Sequence, residues 1–184
     1  AAELAAAARA AVQAIVPKQI EAGIDIPNDG EQGRESFVLY LRHRLSGLGD
    51  ASSRTGWADM DAYPEYKAQV KALAASLEAV TNTDFLPAAI GEVHYLDASA
   101  VEEECTDFEA ALKGHQGRYA EPFLTAPSPG IIGSIVENRH YDTEEAYLHA
   151  LGEALRVEYE AIVSHGFLLQ LDCPDLALER HCSY

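Results

Sequence analysis

Four stretches of the chain set polar or titratable side chains directly behind an apolar run. IDIPNDGEQGR at 24–34 carries Asn28, Asp29 and Glu31. LPAAIGEVHY at 86–95 carries Glu92, His94 and Tyr95, and EPFLTAPSPG at 121–130 carries Thr125 and Ser128. FLLQLDCPD at 167–175 carries Asp172 and Asp175. Acids, amides and hydroxyls that meet at one rim make a site for a small polar ligand. Each has a plainer explanation alone: Asp29 as a turn residue, Asp172 as a helix cap, His94 as a satisfied rim histidine. What favours a site is the repetition of the pattern behind four apolar runs.

The elements that would position these groups alternate. Alanine content, apolar spacing, capping residues and proline and glycine positions predict helices over 3–22, 35–46, 62–80, 98–113 and 143–165. Strands are predicted over 24–28, 86–93, 121–126 and 167–172. Pro17 should kink or interrupt the first helix, and Pro27 lacks the amide hydrogen a strand would donate. In 143–165, Asp142 or Thr143 can cap, and the apolar stripe is Leu148, Leu151, Leu155, Tyr159 and Ile162. Strands separated by helices imply right-handed crossovers and a parallel sheet, with the ligand crevice outside the carboxyl ends of the strands. Either a small doubly wound sheet or part of a barrel meets that description, since a full (β/α)8 barrel needs about 250 residues.

Other chemistries are excluded by pattern. No G-x-G-x-x-G follows a strand, no G-x-x-x-x-G-K-[ST] is present, and there is no G-x-S-x-G elbow. Cys105, Cys173 and Cys182 lack C-x-x-C spacing, which gives neither a disulfide framework nor a zinc ribbon and suits reduced thiols in the cytoplasm. His181 and Cys182 are adjacent, so their side chains point apart and make poor joint metal ligands. The net charge of −17 over 184 residues argues against nucleic acid or an anionic membrane surface as partner. No apolar run approaches the ~20 residues of a membrane span. The opening AAELAAAARAAV is unlike a signal peptide and begins as if already inside a helix, as a piece of a longer chain would.

Four blocks together resemble the cobalamin-independent methionine synthase family, in the family's order over about residues 10–181. They are KQIEAGIDIPNDGEQGRESFVLYLRHRLSGLG, LPAAIGEVHY, EPFLTAPSPGII and EYEAIVSHGFLLQLDCPDLALERH. The likeness is nearer to the shorter, single-barrel members. It implies a TIM-barrel fold, with residues 1–184 forming one incomplete (β/α)8 domain: strands two to five, without the first strand and the C-terminal half. It implies a zinc-dependent transfer of a methyl group from a methylated folate to the homocysteine thiol. Zinc would be the cofactor, its ligands falling outside this chain, and the isolated chain would be inactive. By motif, Glu31 and Asp172 match the two carboxylates that hold the homocysteine ammonium. Asp29, His94 and Ser128 would be further rim residues. Two alternatives remain at this level. One is a relative that alkylates another thiol, such as coenzyme M; the other is a non-catalytic, truncated product.

Overall fold

A computed structural model describes residues 2–52, 58–77 and 86–177 of the chain; His181 and Cys182 lie outside them. Alanine-rich sequence with high helix propensity forms α1 (Ala2–Glu21). Val12, Val16 and Ile20 recur every fourth residue and are buried. Pro17 does not interrupt this helix, contrary to expectation. The carbonyl it orphans is that of Gln13, on the exposed side, where water can satisfy it, while the buried valines on either side hold the turn in place. Gly23, at φ +84°, ends α1. The Gly23 amide then donates to the Ile20 carbonyl, and the Ile24 amide to that of Gln19.

Residues 24–28 form no regular strand and bend at Asp25 and Ile26. The Asp25 carbonyl accepts from Ala120 N–H at 2.7 Å and the Pro27 carbonyl from Phe123 N–H at 3.0 Å. The segment therefore runs parallel to the start of β3 (Phe123–Pro127). Pro27 can donate nothing in return, and Asn28 is held instead by Gln19, whose side-chain amide bonds both its N–H and its carbonyl. On the other side of β3 lies β5 (Leu168–Asp172), parallel, in a continuous register from Phe123↔Leu168 to Pro127↔Asp172.

The remaining strands make a second sheet. β1 (Leu48–Ala51) pairs antiparallel with β2 (Pro87–Ala89), and β2 pairs parallel with β4 (Glu137–Asn138). The expected strand over 86–93 is thus three residues long and belongs to a different sheet from β3 and β5. Gly47 permits this excursion. It has φ +76°, and a Cβ there would stand 2.4 Å from the Glu92 carbonyl oxygen. The expected helix over 35–46 contracts to a 3-10 turn at Leu39–His43. Phe37 points outward while Val38, Tyr40, Leu41 and Leu45 turn inward, a pattern that does not follow one helical face.

Helices complete the layers: α2 (Pro64–Leu77), α3 (Ser99–Leu112), α4 (Pro129–Ile135) and α5 (Glu144–Ser164). Thr143 caps α5 by accepting from the Ala146 amide. α1, α3 and the C-terminal half of α5 cover one face of β3, where Leu124 and Ala126 join Phe108, Cys105 and Ile162 in a first apolar core. The N-terminal half of α5, α4 and the 38–45 segment enclose a second, around Tyr147, Leu151 and Leu155. No helix among the described residues is long and apolar enough to cross a membrane.

One polar contact ties α5 to α3. His165 meets Glu109 through Nδ1 at 2.6 Å and Glu102 through Nε2 at 2.8 Å. Those two hydrogen bonds raise its pKa above the ordinary histidine value. A raised folded-state pKa adds stability that is complete below the unfolded value of about 6.5 and is lost as pH climbs through the folded one. Replacing His165→Ala should therefore lower the thermal midpoint more at pH 6 than at pH 9. Equal losses at both pH values would show that the imidazolium contributes nothing.

Candidate functional site

The NDGE turn is built from its own side chains. Asn28 Oδ1 accepts from the Gly30 amide and Asp29 Oδ1 from the Glu31 amide, each at 3.0 Å. Gly30 and Glu31 both take left-handed backbone angles, φ +70° and +52°. Among the described residues Glu31 is the only non-glycine with positive φ. Such a conformation costs about 1 kcal/mol or more and persists where the surroundings enforce it. Its effect is to swing the Glu31 side chain across to β3, where the Thr125 hydroxyl donates to Glu31 Oε1 at 2.6 Å.

Paired residues on parallel neighbours point to the same face. Thr125 pairs with Gln170 and Pro127 with Asp172, opposite to the core-facing Leu124 and Ala126. Gln170 Nε2 donates to Asp172 Oδ1 at 2.9 Å. Glu31, Thr125, Gln170 and Asp172 thus share the face of the β3–β5 sheet turned away from the helices. Asp172 accepts from Gln170, a side chain on its own strand.

The other expected rim residues have different places. Asp29 is buried behind the turn and borders a cleft of about 180 Å³ between α1 and α3, where burial pushes its carboxyl pKa up. Ser128 accepts from the Ile131 amide as the cap of α4, and its hydroxyl donates to Asp175 at 2.9 Å. His94 is exposed beside Glu92 at 3.2 Å. It lines a separate cleft of about 440 Å³ with Tyr95, Tyr141 and Val157, to which neither β3, β5 nor the Glu31 turn contributes. The four apolar runs therefore do not converge on one crevice. Three bring polar side chains to one sheet face, and the run at 86–95 does not, because β2 belongs to the second sheet.

Behind the Glu31 turn lies a buried charge network that sequence reasoning missed. Arg34 bonds Glu104 Oε2 at 3.1 Å and, through Nη1, both the carbonyl (2.9 Å) and the hydroxyl (3.3 Å) of Thr125. Arg44 bonds Glu104 through Nη2 and Glu158 Oε2 at 3.1 Å. Tyr95 donates to the same Glu158 oxygen at 2.6 Å, and Tyr40 donates to Oε1. Both guanidinium groups lie over the Tyr40 ring, each 4.5 Å from its centroid. Burial opposes charge on Arg34 and Arg44, but the two carboxylates override it and raise both pKa values. Burial likewise raises Glu104, and the two arginines outweigh it, holding that carboxyl below its ordinary value. The detectable signals were an acid inside an apolar stripe. Glu158 stands between Leu155 and Ile162, and Glu104 between Val101 and Phe108, at helical spacing.

Among the described residues no three His, Cys, Asp or Glu side chains gather as a metal site. Cys105 is buried, which pushes its thiol up to about 12, and Cys173 Sγ faces the Leu171 carbonyl at 3.6 Å.

No family model and no curated protein matches the chain. A solved structure does. The fold is similar to that of a B12-independent methionine synthase from Shewanella sp. W3-18-1 in complex with selenomethionine, with a TM-score of 0.69 at 22% identity. The alignment covers 95% of this chain and 44% of that one. The chain therefore spans less than half the length of that structure, and at this identity the likeness is one of fold.

The network makes a stability prediction. Removing one partner of a buried ion pair leaves the others uncompensated, at a cost of about 3–5 kcal/mol. Glu158→Ala should lose that much in urea unfolding. A loss under about 1 kcal/mol would mean that the arginines find water or another acid.

Proposed function

We propose that this chain is part of a methionine-synthase-like thiol methyltransferase, a portion of a (β/α)8 barrel, and that it holds the amino-acid end of homocysteine. Glu31 and Asp172 grip the substrate ammonium. One observation carries the reading: a strained, left-handed Glu31 reaches across to the sheet face that also bears Asp172. Neighbouring strands are about 4.8 Å apart and two residues rise about 6.6 Å, which puts Thr125 and Asp172 roughly 8 Å apart at Cα. Carboxylates reaching in from the two ends of that span can close on one small cation. The fold likeness to a methionine synthase supports the class of reaction. The four-block sequence resemblance supports homocysteine as acceptor and a methylated folate as donor, both small molecules.

Zinc bound in such an enzyme lowers the thiol pKa and orients the sulfur. The described residues do not fit it, since no three donors meet among them. The chemistry assigned to this chain is therefore binding and orientation. Glu31 and Asp172 fix the ammonium, and the sulfur at the far end of the substrate is thereby aimed along a set direction.

Losing one charge-assisted hydrogen bond weakens binding by about 1.5–3 kcal/mol, roughly ten- to a hundredfold. Glu31→Gln and Asp172→Asn should each weaken homocysteine by that factor in calorimetric titration and leave metal content unchanged. Unchanged affinity in both variants would reject the ammonium clamp and favour a thiol without an amine, such as coenzyme M.

A further inference from the structure

Thr125 has one hydroxyl proton and two polar neighbours. Arg34 Nη1 lies 3.3 Å from its oxygen and Glu31 Oε1 lies 2.6 Å from it. A guanidinium only donates. Facing Arg34, the hydroxyl must accept on that side, and its single proton is left to point at Glu31. Arg34 cannot swing away to release it, because the same Nη1 also donates to the Thr125 carbonyl and Nη2 is held by Glu104. The Arg34 side chain is itself almost fully buried, 2% exposed.

We infer that Thr125, held by Arg34, is a positioning residue that orients the Glu31 carboxylate for its ligand. Oε1 takes the Thr125 proton, and Oε2, which has no protein partner among the described residues, is left as the acceptor for a cationic group. This rests on the ammonium-clamp reading and deepens it. A free glutamate side chain loses much rotamer freedom when it must meet a ligand in one orientation. Here that freedom is removed beforehand from both ends: the Asp29 carboxylate pins the Glu31 amide, and Thr125 pins its carboxylate. Arg34 passes the constraint on to α3 through Glu104, so the aim of Glu31 is set by the packed helices rather than by the turn alone.

The test separates a role at the ligand from a general effect on folding. Thr125→Val keeps the shape and removes the hydroxyl; Thr125→Ser keeps the hydroxyl. Each is titrated with homocysteine and with 4-mercaptobutanoate, which carries the same thiol and carboxylate without the amine. We expect Thr125→Val to weaken homocysteine about three- to tenfold, the loss of one hydrogen bond. It should leave 4-mercaptobutanoate unchanged, and Thr125→Ser should bind both as the parent does. Equal weakening of both ligands, or none of either, would overturn the inference. Glu31→Gln is run beside them. If it weakens homocysteine while Thr125→Val does not, the positioning role falls and the clamp stands. If it has no effect, both fall.

Discussion

Glu158 is a carboxylate with no exposure to water, and it lies where two apolar cores meet. Its position on α5 fixes it between Leu155, which belongs to one core, and Ile162, which belongs to the other. An isolated charge there would be prohibitively desolvated. Tyr40, Tyr95 and Arg44 supply close polar contacts, and Arg34 approaches it at 3.8 Å. All four come from segments that do not form long regular elements. The 34–45 segment folds as it does because it must deliver two guanidiniums and a phenol to α5 and α3, and that requirement outweighs the helix its sequence would otherwise form.

The constraint extends to the face where chemistry is proposed. Arg34 belongs to the network and also touches Thr125, and Thr125 touches Glu31. A chain of contacts therefore runs from a fully buried acid on α5 to an acid at the sheet surface. Rigid support behind a strained residue is what allows positive φ at a glutamate to persist. Asp172 is set differently, by the β3–β5 ladder and by Gln170 on its own strand. Two acids delivered to one face by independent supports suit a ligand gripped from two sides.

Much of this was legible from residue order. The alanine content of α1, the glycine stops after α1 and α3, the apolar stripe of α5 with a cap at Asp142 or Thr143, and the strands at 121–126 and 167–172 follow local rules that the tertiary structure did not override; Thr143 is the cap used. The Glu31 turn could be read because glycine beside acids signals a sharp reversal. The second sheet could not be read. β1 is four residues long and lies within a loop-like run of Gly, Ser and Asp, and β2 keeps three residues of an apolar stretch that looks like any buried strand. Which sheet such a segment joins is decided by long-range pairing, and with it went the expectation that His94 shares the rim. Ser128 and Asp29 proved to be a helix cap and a turn-former, uses that the same residue types serve equally well. The charge network was hidden because its members are dispersed over more than a hundred residues: Glu104 and Glu158 stand out inside apolar stripes, but nothing local pairs them with Arg34, Tyr40, Arg44 or Tyr95.

The turn geometry and the shared sheet face bear on one question, where a ligand's amino group sits. A crystal structure of the protein with homocysteine bound answers it most directly. The clamp requires the amino nitrogen within about 2.7–3.2 Å of both the Glu31 and Asp172 carboxylates, with Thr125 still bonded to the far oxygen of Glu31. An amino group seated instead in the His94 cleft, or one touching neither acid, would contradict it.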